Sequence, residues 1–140
     1  MFVYKRRAQY HETDQMGIIH HANYVKWMEE ARIRFMDVLG LGYREMESLG
    51  IQSPVADVSL SYKKSVCFDD EVEVRISIKK YNSMVLELGY EFTDLTSGTF
   101  CTEASSRHCF VKDGKLISLK KVLPELDKRI RENMEGSERC

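Results

Sequence analysis

The chemistry in this sequence gathers between Tyr10 and Arg32, in the stretch YHETDQMGIIHHANYVKWMEEAR. Asp14 stands three residues before Gly17. A carboxylate there can give an oxygen to an electrophilic carbonyl, either directly or by activating a water. Gly17 allows close backbone approach. An amphipathic helix is predicted to start near His21 and Ala22. The first N–H groups of a helix point outward with its positive dipole end, so they can receive an oxyanion. An acid held beside such a helix start supplies two parts of an acyl-transfer site.

The same residues have plainer readings. Thr13-Asp14 ahead of Gly17 also fits an Asx-type turn, in which the carboxylate bonds its own backbone. His11, His20 and His21 flank Asp14, and His and Asp are metal ligands. Adjacent His20 and His21 are awkward partners for one ion, and neither HxH nor HExxH spacing occurs, so no metal or cofactor is expected. Tyr24 and Trp27 are read as core residues of the helix face. Glu29 and Arg32 are read as a surface pair.

The elements that must hold these residues follow from periodicity. Phe2 to Gln9 is predicted as a strand and Tyr10 to His20 as a polar loop. Tyr24, Trp27, Met28, Ala31, Phe35, Val38 and Leu39 recur at spacings of three and four, which gives a long helix with one apolar face, stopped at Gly40. A shorter helix, about 42–49, ends at Gly50. From Ser53 the period becomes two. Val58, Leu60 and Tyr62 form one apolar row, Val72, Val74, Ile76 and Ile78 the next, and Leu86, Leu88, Tyr90 and Phe92 a third. Such rows are expected of an antiparallel sheet with one covered face. A less regular strand spans 99–112, with Phe100, Ala104, His108 and Phe110 on one side. Asp113-Gly114 marks a hairpin, and Pro124 opens a terminal helix. These elements predict an α+β domain with an antiparallel β-sheet wrapped around a long central α-helix. No linker or repeat interrupts them, so residues 1–136 read as one domain and 137–140 as a frayed tail.

Basic and acidic side chains number 21 and 22, which gives no electrostatic case for a nucleic-acid partner. No apolar run reaches the length of a membrane span. The N-terminal MFVYKRRAQY is too short and too charged for a signal peptide. Cys67, Cys101, Cys109 and Cys140 form no CxxC pair, which fits reduced thiols in the cytoplasm.

Tyr10-x-x-Thr13-Asp14-x-x-Gly17-Ile18-Ile19-x-His21-x-Asn23-Tyr24, followed by Trp27-x-Glu29-x-Ala31-Arg32, resembles the 4-hydroxybenzoyl-CoA thioesterase family of hotdog folds. Within that family it is most similar to the acyl-CoA thioesterase branch associated with the Tol-Pal system. The resemblance implies a hydrolase that cleaves a short- to medium-chain or aromatic acyl-CoA to free acid and CoA. It makes Asp14 the nucleophile or general base, His21 the source of the oxyanion N–H, and Tyr10 an active-site tyrosine. It assigns Gly17, Asn23 and Tyr24 to substrate binding. It implies a homodimer or homotetramer with active sites at subunit interfaces. His11-Glu12 and His20 depart from that branch, which leaves the acyl group open. A non-catalytic acyl-CoA-binding module, a hotdog enoyl-CoA hydratase and a metal-dependent hydrolase using His11, Asp14 and His20 are the rival functions.

Overall fold

The computed structural model describes residues 2–40 and 42–138, the last four as backbone only. Strand β1 (Phe2–Arg7) leads through a 3-10 turn (Tyr10–Glu12) and a short hairpin into helix α1 (Asn23–Val38). Helix α2 (Tyr43–Ser48) and the two-residue strand β2 (Ile51–Gln52) follow. Then come β3 (Val55–Tyr62), β4 (Glu71–Tyr81), β5 (Val85–Asp94) and β6 (Thr99–Cys109). The chain finishes with β7 (Val111–Lys112), β8 (Lys115–Leu116), α3 (Leu119–Val122) and α4 (Pro124–Glu138). Of the tail expected at 137–140, the last two residues lie outside the described residues.

Five strands form an antiparallel sheet in the order β1-β4-β5-β6-β3. Helix α1 lays Tyr24, Trp27, Met28, Ala31 and Phe35 against it, all buried. Trp27 and Phe92 meet at 6.5 Å between ring centroids, and Tyr24 packs edge-on to Phe92 at 5.6 Å. Burying side chains of this size stabilises by about 2–3 kcal/mol each, which is why the apolar spacing settles the helix on the sheet. This is the hotdog fold. A smaller sheet, β2-β7-β8, closes one end through the Asp113-Gly114 turn, where both residues have positive φ as a two-residue hairpin requires.

The alternating rows of β4 and β5 are buried as expected. Three details differ. Val38 is exposed, and Met36 joins the helix's covered face instead. In β6 the register shifts opposite Phe92 and Thr93, where Cys101 is the extra residue. That bulge turns Phe100 out to 40% exposure while Thr102, Ala104, Ser106 and His108 point inward. The third concerns β3. Val58, Leu60 and Tyr62 were expected to face the core, yet β3 is an edge strand and Val58 and Tyr62 are exposed. No helix among the described residues is long and apolar enough to cross a membrane.

Candidate active site

The hairpin between β1 and α1 is built by local backbone bonds. Thr13 and Ile19 pair across it. The Asp14 N–H donates to the Ile18 carbonyl at 2.8 Å, and the Gly17 N–H donates to the Asp14 carbonyl at 3.1 Å. Gly17 has φ of 80°, the left-handed conformation that such a turn needs at its closing residue. The Met16 N–H donates to Asp14 Oδ1 at 2.8 Å, so the Asx turn is made. It uses one carboxylate oxygen. The other has no hydrogen-bond partner among the described residues, and the side chain is half-buried. Ile19 N–H to the Val66 carbonyl and an Ile18–Cys67 bridge fasten the hairpin to the segment after β3.

The hairpin hands over to α1 through a tight turn. The helix proper begins at Asn23, one or two residues later than the pattern implied. Ala22 already has helical φ and ψ. His20 N–H donates to the Glu12 carbonyl at 2.8 Å, Ala22 N–H to His20 Nδ1 at 3.3 Å, and Asn23 N–H to the His20 carbonyl at 3.0 Å. Tyr24 N–H donates to the His21 carbonyl. Among the described residues, the His21 N–H has no acceptor. The first turn of α1 carries no acidic residue to occupy its positive end. The Tyr62 hydroxyl also donates to the His21 carbonyl, at 2.9 Å, tying the end of β3 to the helix mouth. The His21 ring is exposed and lies 4.3 Å from the His20 ring.

The other expected site residues divide. Tyr10 is 76% exposed, its ring edge-on to Phe68 at 5.6 Å, and its hydroxyl makes no hydrogen bond to Asp14. Gly17 is at the surface. Asn23 and Tyr24 are buried beneath the mouth. Asn23 Nδ2 donates to the Glu12 carbonyl at 2.8 Å. Tyr24 sits between Trp27, Tyr62 and Phe92, and burial pushes its hydroxyl well above the ordinary tyrosine range. No three His, Cys, Asp or Glu side chains gather as metal ligands would among the described residues.

A family model described as the thioesterase-like superfamily matches residues 8–132. The chain belongs to that superfamily. It is an enzyme of the thioester hydrolase class. It is 38% identical over 120 residues to the Bacillus subtilis "Putative acyl-CoA thioesterase YneP", covering 84% of this chain and 86% of that one. It is 33% identical over 125 residues to a "Putative esterase" of Aquifex aeolicus, covering 89% and 96%. The DHNA-CoA thioesterase of Staphylococcus aureus superposes with a TM-score of 0.89 at 33% identity, over 93% of this chain and 88% of that one.

Two features in and around this candidate site were not legible in advance. Glu12 is 4% exposed and fully engaged. Its Oε1 accepts from Arg6 Nη2 and the Gln9 N–H, both at 2.8 Å, and its Oε2 accepts from the Trp27 indole at 2.8 Å. It locks the loop onto the helix. The sequence signal for it is Trp27 and Arg6, a buried and a half-buried donor that need an acceptor. The second feature lies further along α1. Arg32 is buried rather than paired with Glu29 at the surface. Arg32 Nη1 lies 2.9 Å from His108 Nδ1, His108 Nε2 is 2.7 Å from Ser106 Oγ, and Ser106 Oγ is 2.6 Å from the Tyr90 hydroxyl. Burial, then the Arg32 charge, pull the His108 pKa down to about 3, so its imidazole is neutral. Burial raises Tyr90 to about 12.

Proposed function

We propose that this chain hydrolyses acyl-CoA thioesters, with Asp14 delivering the oxygen and the His21 N–H receiving the carbonyl oxygen. One observation carries the reading. A helix start without an acidic side chain keeps the His21 amide unpaired, and the hairpin leading into it keeps one Asp14 oxygen unpaired. The substrate carbonyl accepts a hydrogen bond from that amide. A single preorganised donor of this kind is worth about 2.7–4 kcal/mol in the transition state. Asp14 then attacks the carbonyl carbon and the C–S bond breaks, leaving a mixed anhydride that water opens; alternatively Asp14 takes the proton of an attacking water. The leaving thiolate needs little help, since thiols have a pKa of about 8.5.

The remaining residues act around this pair. Gly17 shapes the turn that presents Asp14. Asn23 and Tyr24, expected to bind substrate, lie buried under the mouth, which favours a part in positioning it. Tyr10 guards the entrance from the loop, where its hydroxyl can reach the thioester sulfur. The exposed apolar side chains of edge strand β3, among them Val55, Val58 and Tyr62, support a second copy docking along it, which would set the site at a subunit seam in a homodimer or homotetramer. An aromatic acyl group is favoured by the DHNA-CoA relative; the Tol-Pal branch rests on the loop-helix motif. We take residues 1–136 as a single domain and the setting as cytoplasmic, in keeping with the free Cys67, Cys101 and Cys109.

The test is thiol release from a panel of acyl-CoA substrates by the purified protein and by Asp14→Asn. Hydrolysis by the parent and its loss in the variant are expected. Tight acyl-CoA binding with no thiol released by the parent would instead mark a binding module.

A further inference from the structure

We propose that Arg32 is a specificity-determining residue that takes an oxygen acceptor, a hydroxyl or carboxylate, at the far end of the acyl group. The proposal rests on the hydrolase reading and adds the substrate class to it. A cavity of about 50 Å³ lies between α1 and β3, with Val25 and Arg32 on one wall, Val55 and Val58 on the other, and Tyr90 and Ser106 at its floor. It shares its two walls with the mouth. Tyr62, at the end of β3, bonds His21, so the strand and the helix run side by side from the mouth toward Arg32.

One donor of a cavity-lining residue lacks an acceptor. Arg32 is 9% exposed, and its Nε has no hydrogen-bond partner among the described residues. Arg32 forms no ion pair among the described residues, although Glu29 lines the same cavity. A buried guanidinium without a counter-charge is costly, so a vacant anion or acceptor position is what its surroundings call for. The guanidinium lies over the Tyr43 ring at 5.5 Å, and its Nη1 is 2.9 Å from Nδ1 and 3.2 Å from Nε2 of His108, an imidazole that is neutral. Arginine only donates, so with the nearer Nδ1 as its acceptor the ring proton falls on Nε2, which then donates to Ser106 Oγ. Ser106 and Tyr90 then share one short hydroxyl contact. That contact consumes one of their two protons. With His108 donating to Ser106, the other is left for an acceptor in the cavity that both residues line. Guanidinium and hydroxyl together select an acceptor and penalise a methyl group, which would leave both unpaired.

The dimensions agree. The cavity holds a hydroxyl or carboxylate head and no complete acyl chain. The Arg32 Cα lies about 14 Å along the helix axis from Asn23. Helical side chains lean toward the helix start, so a ring-sized acyl group spans what remains.

The experiment measures equilibrium binding of three CoA thioethers that cannot be hydrolysed: 4-hydroxyphenacyl-CoA, 4-carboxyphenacyl-CoA and 4-methylphenacyl-CoA. The parent is expected to bind at least one oxygen-bearing probe about tenfold or more tightly than the methyl probe. Arg32→Gln and Arg32→Leu should compress that ratio to within about twofold, and Arg32→Lys should retain part of it. Ser106→Ala and Tyr90→Phe, which keep Arg32, should each lower it and serve if the Arg32 variants fail to fold. A parent that binds all three probes equally overturns the proposal. So does a ratio unchanged in every folded variant, or a change in oligomeric state alone on replacing Arg32, which would make its counter-charge a group of a second copy. Because binding needs no turnover, these outcomes stand apart from the thiol-release assay, whose failure would remove the hydrolase reading instead.

Discussion

Two carboxylates two residues apart, Glu12 and Asp14, are put to opposite uses. Glu12 lies in a sealed knot, its oxygens taken by Arg6, the Gln9 amide and the Trp27 indole. Asp14 sits at an open hairpin tip with one oxygen occupied and one left over. A buried carboxylate with both oxygens engaged holds structure together, because releasing any partner leaves a charge stranded. A half-open carboxylate with a spare oxygen is available for chemistry. The contrast is between interactions that are complete in the isolated chain and interactions that wait for a substrate.

The largest effect expected comes from separating the two. Asp14→Asn keeps the turn, because an amide oxygen also accepts from the Met16 N–H, and removes the proposed nucleophile or base. Turnover should fall about 10³-fold, with Tm within about 2 °C of the parent. Glu12→Gln should do the reverse. It keeps the shape and loses the charge facing Arg6, at a cost of about 2–3 kcal/mol, or roughly 6–10 °C in Tm. Thermal melts and kcat for both variants check the pair. A Glu12→Gln protein that is fully stable and inactive would exchange the two roles.

The sealed region also has a pH signature. His108 is neutral in the fold with a pKa of about 3, while in the unfolded chain it titrates near its ordinary value of 6.5. Between those values the unfolded state binds the extra proton, so stability falls as pH falls from 6.5 toward 3. From pH 7 to pH 5 the loss is about 2 kcal/mol. Asp127, held below the usual carboxylate range by hydrogen bonds from Ser83 and Tyr81 and by Arg131, outweighing its burial, loses its contribution only as pH falls below the unfolded value of 3.8. Denaturant titrations at several pH values should show the His108 slope first, and His108→Gln should flatten it.

This division also explains what could be read from the sequence. The helix, the β4 and β5 rows and the Asp14–Gly17 turn are local patterns, set by residues within a few positions of each other. Glu12 meets Trp27 across 15 residues, and Arg32 meets His108 across 76. Such pairings exist only after the sheet has formed, and no spacing announces them. Val58 and Tyr62 failed differently. Their period-two row marks a face to be covered, but it does not say whether this chain or a second copy covers it. Phe100 was misplaced because one extra residue, Cys101, inverts every inward and outward assignment on its far side.

The mouth can be divided once more, between the main chain and the side chain of His21. The proposed donor is the amide, so His21→Ala should keep most of the activity, within about tenfold of the parent. A loss as deep as that of Asp14→Asn would place the imidazole in the reaction.

Tyr62→Phe is expected to have the smallest effect and makes the finest test of what fixes the mouth. The Tyr62 hydroxyl donates to the His21 carbonyl, but the side chain is 47% exposed, so water can replace it in the isolated chain. The peptide that carries the His21 amide is held separately, by Asn23 N–H on the His20 carbonyl. Removing the hydroxyl should therefore cost about 1 kcal/mol of local order, a roughly fivefold drop in kcat/KM, and leave Tm almost unchanged. If a second copy covers β3, water is excluded from that bond and the same substitution should cost more when the protein is concentrated enough to associate. Kinetics across a range of protein concentrations separate the two cases. A drop as large as that of Asp14→Asn at every concentration would mean that the hydroxyl touches the substrate itself.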